Sequence, residues 1–85
     1  MAAVAFDYDK EAPRVVKALR KAFPRDTIDT KRGYLGRVQV TVVSSVLNGK
    51  TEAEKQSYVW DVLRSNLGEE SQVVSIVTPY GTDEL

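Results

Sequence analysis

Two missing residue types first define what chemistry this sequence can perform. Its 85 residues include no His and no Cys. Imidazole acid–base work, thiolate nucleophiles, disulfides, and zinc or iron–sulfur sites built on those ligands are therefore excluded. What remains is 12 basic and 12 acidic side chains, with hydroxyls and amides. Carboxylates pair at Glu52/Glu54, Glu69/Glu70 and Asp83/Glu84, each among polar neighbours. General acid–base catalysis needs carboxyl groups in a desolvating cleft that separates their pKa values. These pairs instead fall at the ends of expected elements, where the helix dipole already accounts for acids near an N-terminus. The expectation is a protein that is not an enzyme and carries no cofactor.

The run Ser44-Ser45-Val46-Leu47-Asn48-Gly49-Lys50-Thr51 follows a strand-like segment, precedes a helix-like one and ends like a phosphate-binding loop. That loop needs Gly where Ser44 stands, so that its N–H groups can curl round the phosphate. A chain this short also has no room for the parallel sheet and metal-binding aspartate of such enzymes. The run reads instead as a turn and a capped helix. Asn48, Gly49 and Lys50 remain candidate contacts to an anion, because a helix N-terminus offers free N–H groups and Lys50 adds charge. Glu52 and Glu54 follow at once and weaken that potential.

Charge is zero in sum but not in distribution. Residues 10–37 carry nine basic side chains against Glu11, Asp26 and Asp29, while residues 38–85 carry three against seven acids. Arg14, Lys17 and Lys21 recur at helical spacing, and Lys31, Arg32 and Arg37 surround Tyr34. Basic side chains attract phosphate and an exposed aromatic can stack a base, so both groups are candidate nucleic-acid contacts. No apolar run approaches the ~20 residues of a membrane span, and the stretch from Met1 to Lys10 lacks the basic and apolar regions of a signal peptide. Thr82-Asp83-Glu84-Leu85 approaches a retention signal without its leading Lys or His. It reads as a solvated acidic tail, and the chain as cytoplasmic with no membrane partner.

The elements that position these residues follow from periodicity. Val15, Val16, Leu19 and Phe23 predict a helix from about Glu11 to Phe23, with Pro13 in its first turn and Pro24 ending it. Residues 26–31 predict a weak edge strand, and Gly33 and Gly36 bracket a turn. Val38, Val40 and Val42 alternate with Gln39, Thr41 and Val43 in the clearest strand, Arg37 to Ser44. A short helical turn fits around Ser45 to Asn48. Thr51 and Glu54 form a capping box for a helix running to Leu67 and ended by Gly68. Its apolar face is expected to hold Ala53, Val59, Trp60, Leu63 and Leu67, with Gln56 among them. Gln72 to Thr78 predicts a largely buried strand stopped by Pro79. The expected architecture is one α+β domain over residues 1–85, an αββ(α)αβ sandwich whose three-stranded mixed sheet has helices on one face.

With the elements placed, the stretch from Val38 resembles the BolA family. Val40-Thr41-Val42-Val43-Ser44 resembles its second strand, and Leu47-Asn48-Gly49-Lys50 its aromatic-x-Gly-Lys turn, with Leu47 for the aromatic. Lys55-Gln56 lies where the family has Arg-His. Val59-Trp60 matches its Val-Tyr, and Val73-Val74-Ser75-Ile76 falls on the Ile-His-Ala-Leu of its last strand. The resemblance spans roughly residues 14–79 and implies a fold similar to the KH class of nucleic-acid-binding domains. It also implies a regulatory or adaptor role with a monothiol glutaredoxin-like partner, through surfaces that include Asn48, Gly49, Lys50, Lys55, Gln56 and Val74. Family members share an iron–sulfur cluster using an imidazole on the last strand and a His or Cys in the loop between the first two strands. Val74 and the Thr30–Gly36 loop hold neither ligand, so the expectation is binding without a metal. The alternative is a KH-like nucleic-acid binder.

Overall fold

The computed structural model describes residues 5–85. Helix α1 spans Tyr8–Arg20, strand β1 Thr27–Arg32, strand β2 Val38–Val43, helix α2 Glu52–Leu67 and strand β3 Val74–Tyr80. The sheet order is β1-β2-β3, with β1 antiparallel and β3 parallel to the central β2. A parallel neighbour requires a crossover, and α2 provides it. The result is an α+β fold with a three-stranded mixed sheet.

The β2 side chains alternate between fully and partly buried. Val38, Val40 and Val42 form a row beneath the helices, joined by Val15 and Leu19 of α1, Val59 and Leu63 of α2, and Val74 and Val77 of β3. Gln39, Thr41 and Val43 point to the other face and are only half-buried. A bulge between Val38 and Gln39 gives β3 one extra residue, Ser75, and carries the register on from Gln39↔Ile76 to Val43↔Tyr80.

Helix α1 begins earlier than its apolar spacing predicts. Asp7 takes the N-cap position, its carbonyl accepting from Lys10 N and Glu11 N at 3.1 and 2.8 Å, while Tyr8 packs against the core. Pro13 therefore lies inside the helix, on an exposed position, and not in its first turn. The helix also ends earlier, at Arg20. Ala22 N and Phe23 N both turn back to the Leu19 carbonyl, which drops Phe23 into the core with no exposed surface. Arg20 donates to the Phe23 and Asp26 carbonyls at 3.2 and 2.6 Å, tying down the loop that leads from α1 to β1.

At the hairpin tip Phe6 N donates to the Leu35 carbonyl at 2.8 Å. The strand entering α1 lies so close there that a Cβ on Gly36 would overlap the Phe6 carbonyl, and Gly36 also has φ 76°. Any side chain at this position must push the two segments apart.

Helix α2 opens on the expected capping box: Thr51 Oγ1 accepts from Glu54 N at 3.2 Å and Glu54 Oε1 from Thr51 N at 2.8 Å. Its buried stripe differs from the expected one, being Lys55, Val59 and Leu63 at intervals of four. Ala53 is exposed, and Trp60 is half-buried at the margin of the core, with the Arg64 guanidinium 5.5 Å from its ring centre. The stripe is rotated because Lys55 occupies a core-facing position, its ammonium neutralised by carboxylates on either side. Trp60→Ala should therefore destabilise by well under half as much as Phe23→Ala, for which about 3–5 kcal/mol is expected. Urea unfolding checks this, and wild-type Trp60 emission should lie between those of buried and free indole.

Candidate functional site

The turn after β2 begins at Ser44, which is fully buried and extended. Its Oγ donates to Asp26 Oδ2 at 2.8 Å and accepts from Val46 N at 3.1 Å, capping the 3-10 turn Ser45–Leu47. The position where a phosphate loop needs glycine is thus committed to holding β2 against the start of β1.

Beyond it, Asn48, Gly49 and Lys55 come together around a segment more than 25 residues downstream. The expected solvated tail is instead a 3-10 turn, Thr82–Glu84, docked on the Asn48-Gly49 turn. Asn48 Oδ1 accepts from Asp83 N at 3.1 Å, and its Nδ2 donates to Thr82 Oγ1 at 2.9 Å. Gly49 N donates to Asp83 Oδ2 at 3.1 Å. Glu84 Oε1 accepts from Gly81 N at 2.8 Å and from Lys55 Nζ at 2.5 Å, while Lys55 also donates to Glu52 at 2.7 Å. Gly81 is buried between the two segments, where a Cβ would collide with Asp83 and Asn48.

This docking sets the electrostatics of the end that sequence reasoning nominated for an anion. The Gly49 amide already serves the Asp83 carboxylate and the Thr51 amide the Glu54 carboxylate. Glu52 and Glu84 both bond the Lys55 ammonium, and Glu54 and Asp83 hold the neighbouring amides. Lys50 lies 5.5 Å from the Tyr58 ring centre. A phosphate arriving here would compete with four carboxylates.

The basic stripe of α1 is divided. Arg14 is paired with Glu11 at 3.0 Å and with Glu70 in the 3-10 segment that follows α2. Among the described residues, no carboxylate lies within ion-pair reach of Lys17 or Lys21, which face a shallow groove with Asn66 and Leu67. Gln56 is not part of either group. Its Nε2 donates to the Val77 carbonyl at 2.8 Å on the outer edge of β3.

Val74 lies at the opposite end of the sheet from Asn48, opposite Val38, with its side chain in the core. Its carbonyl is taken by Arg37, which donates to Gln72 and Val74 at 2.6 and 3.3 Å and so ties the hairpin to β3. The two positions where the resemblance would put cluster ligands do meet at this end. They present a buried hydrocarbon, a Tyr-Leu tip and a guanidinium, a donor set that does not fit iron or zinc. A charged residue at Val74 would strike the core before it could test any surface.

No family model, curated protein or solved structure matches the chain. The remaining open surface is the sheet face away from the helices. There β2 offers Gln39, Thr41 and Val43, and β3 offers Ile76, Thr78 and Tyr80, with Ile76 49% and Tyr80 40% exposed. Sequence reasoning missed this surface by taking the Val-Ile run of β3 as largely buried. It also missed the docked acidic turn, for which the charged residue on an apolar helix face, Lys55, was the available signal.

The Lys55–Glu84 link makes stability depend on pH at both ends. The Lys55 bond and then the Gly81 amide hold the Glu84 carboxyl below its ordinary 4.5, and Thr51 does the same for Glu54. Their contributions are present above that pH and lost as pH falls through the lowered values. Glu52 and then Glu84 hold Lys55 above its ordinary 10.5, so its contribution is lost only as pH rises past that value. Glu84→Gln should lower the melting temperature at pH 7 and shrink, without abolishing, the drop seen below pH 4.5. An unchanged acid profile would count against the link.

Proposed function

We propose that this is a BolA-like, non-enzymatic adaptor or regulatory protein that binds a glutaredoxin-like protein partner without contributing metal ligands, and that it works in the cytoplasm. The observation that carries this reading is the uncovered sheet face with Ile76 and Tyr80 exposed on one strand. Exposed aliphatic and aromatic side chains on one face of a strand suit a protein interface, where aromatic anchors supply much of the binding energy. The order of elements and the mixed sheet are those the resemblance implies. Among the described residues, no helix is long and apolar enough to cross a membrane.

A KH-like nucleic-acid reading draws support from Lys17 and Lys21 and from Lys31 near the exposed Tyr34. The Asn48-Gly49-Lys50 turn weighs against it, because the chain's own carboxylates hold the groups a phosphate would use. Salt separates the two. Binding through several phosphates falls steeply and log-linearly with salt, while an apolar protein interface changes much less.

The test is titration of a purified monothiol glutaredoxin, with and without its cluster, followed by calorimetry. Binding is expected to change little with salt and to weaken about tenfold or more in Ile76→Lys, whose exposed position leaves the fold intact. Absence of binding, or equal binding by Ile76→Lys, overturns the proposal. Salt-sensitive capture of single-stranded RNA, lost in Lys17→Glu with Lys21→Glu, would favour the second reading instead.

A further inference from the structure

The two edges of the sheet are not alike. Tyr80 O accepts from Ser44 N, so the alternation of strand amides turns Ile76, Thr78 and Tyr80 toward β2 and Val77 and Pro79 outward. On that outer edge Pro79 has no N–H, and the Val77 carbonyl is already bonded by Gln56. The β3 edge is closed to a further strand.

The β1 edge has no such cover. Gly33 N donates to the Arg37 carbonyl in register with the β1–β2 ladder, which turns Lys31, Asp29 and Thr27 toward β2. The main-chain groups of Ile28, Thr30 and Arg32 therefore point outward. Among the described residues, no loop or side chain bonds any of them.

We propose that β1 pairs antiparallel with β1 of a second copy, about a two-fold axis at Thr30, to form a closed dimer with a continuous six-stranded sheet. The occupant is argued from register and charge. Antiparallel ladders join outward-facing residues to each other, and centring on Thr30 uses all three from each chain: Thr30 opposite Thr30, Ile28 opposite Arg32 and Arg32 opposite Ile28. That register leaves Asp29 opposite Lys31 of the second copy, twice, as non-hydrogen-bonded pairs whose side chains lie closest. The sequence Asp29-Thr30-Lys31 is thus self-complementary, as an interface related by a two-fold axis demands. The groove beside this edge adds an apolar wall of Ala12, Pro13 and Val16. Because β3 is closed, association stops at two.

Charge variants and sedimentation equilibrium test this. The wild type should reach a dimer and nothing larger as concentration rises. Lys31→Asp sets like charges opposite each other at both pairs, as does Asp29→Lys, and each should weaken the dimer by about tenfold or more. Mixing the two variants restores both ion pairs, so the mixture should dimerise where neither variant does alone. That rescue shows that both variants remain folded. A wild type that stays monomeric up to its solubility limit overturns the proposal, as does a dimer indifferent to both changes or assembly beyond two copies.

Discussion

Two helices resting on one row of β2 valines is the constraint from which the rest of this molecule follows. Val38, Val40 and Val42 are the only side chains of the central strand that reach the helices, and all three are buried at or near completion. A chain of 85 residues buries only part of its surface, so it can cover one face of a three-stranded sheet and not two. Among the described residues, no helix covers the far face, and its β2 side chains are only half-buried. Thr41 and Thr78 tolerate that position; Ile76 and Tyr80 expose apolar surface there. Under the proposed adaptor reading, such surface is where the protein partner would pack.

Lys55 is the second determinant, and it works against the first impression of the charge pattern. A lysine whose side chain is 4% exposed could not remain charged without partners. Glu52 supplies one from the same helix, and Glu84 supplies the other only because the segment after β3 folds back over the Asn48-Gly49 turn. The same fold-back brings Asp83 to the Gly49 amide. The most phosphate-like stretch of the sequence is consequently filled from within the chain. Overall basicity of residues 10–37 therefore does not translate into an anion site at the one helix N-terminus with a glycine-lysine turn.

What was legible in the sequence was local. Period-two alternation located β2, the Thr51–Glu54 spacing located the start of α2 and Gly68 its end, whereas α1 ends at Arg20, ahead of Pro24, and β3 runs through Pro79 to Tyr80. The fold class and its layers follow from these alone. Helix bounds were less legible at α1, because Asp7 and Tyr8 start the helix through backbone and packing that no apolar spacing marks. Trp60 and Ala53 were misplaced for a related reason: angular averaging over apolar residues cannot anticipate that a lysine will take the centre of the stripe. The docking of Thr82–Glu84 was signalled only by the need of Lys55 for a counter-charge, since Asn48 and Asp83 are 35 positions apart and single amide and carboxylate groups carry no period. Of the candidate site, Asn48, Gly49 and Lys55 do converge, Gln56 closes a strand edge, and Val74 belongs to the core.

The closed edge and the open face can be considered together. The Gln56 amide of α2 has a structural task. It reaches across the end strand and satisfies a carbonyl that would otherwise invite another chain. Pro79 removes the neighbouring donor. With β3 protected in this way, a ligand approaching Ile76 and Tyr80 must bind by side-chain packing on the face, not by strand addition at the edge. Pairing through β1 would leave that strand untouched, because β1 and β3 lie on opposite sides of β2. A dimer would then carry two such surfaces on one continuous sheet, on the same side and related by the two-fold axis, so a bivalent partner could engage both without any new contact.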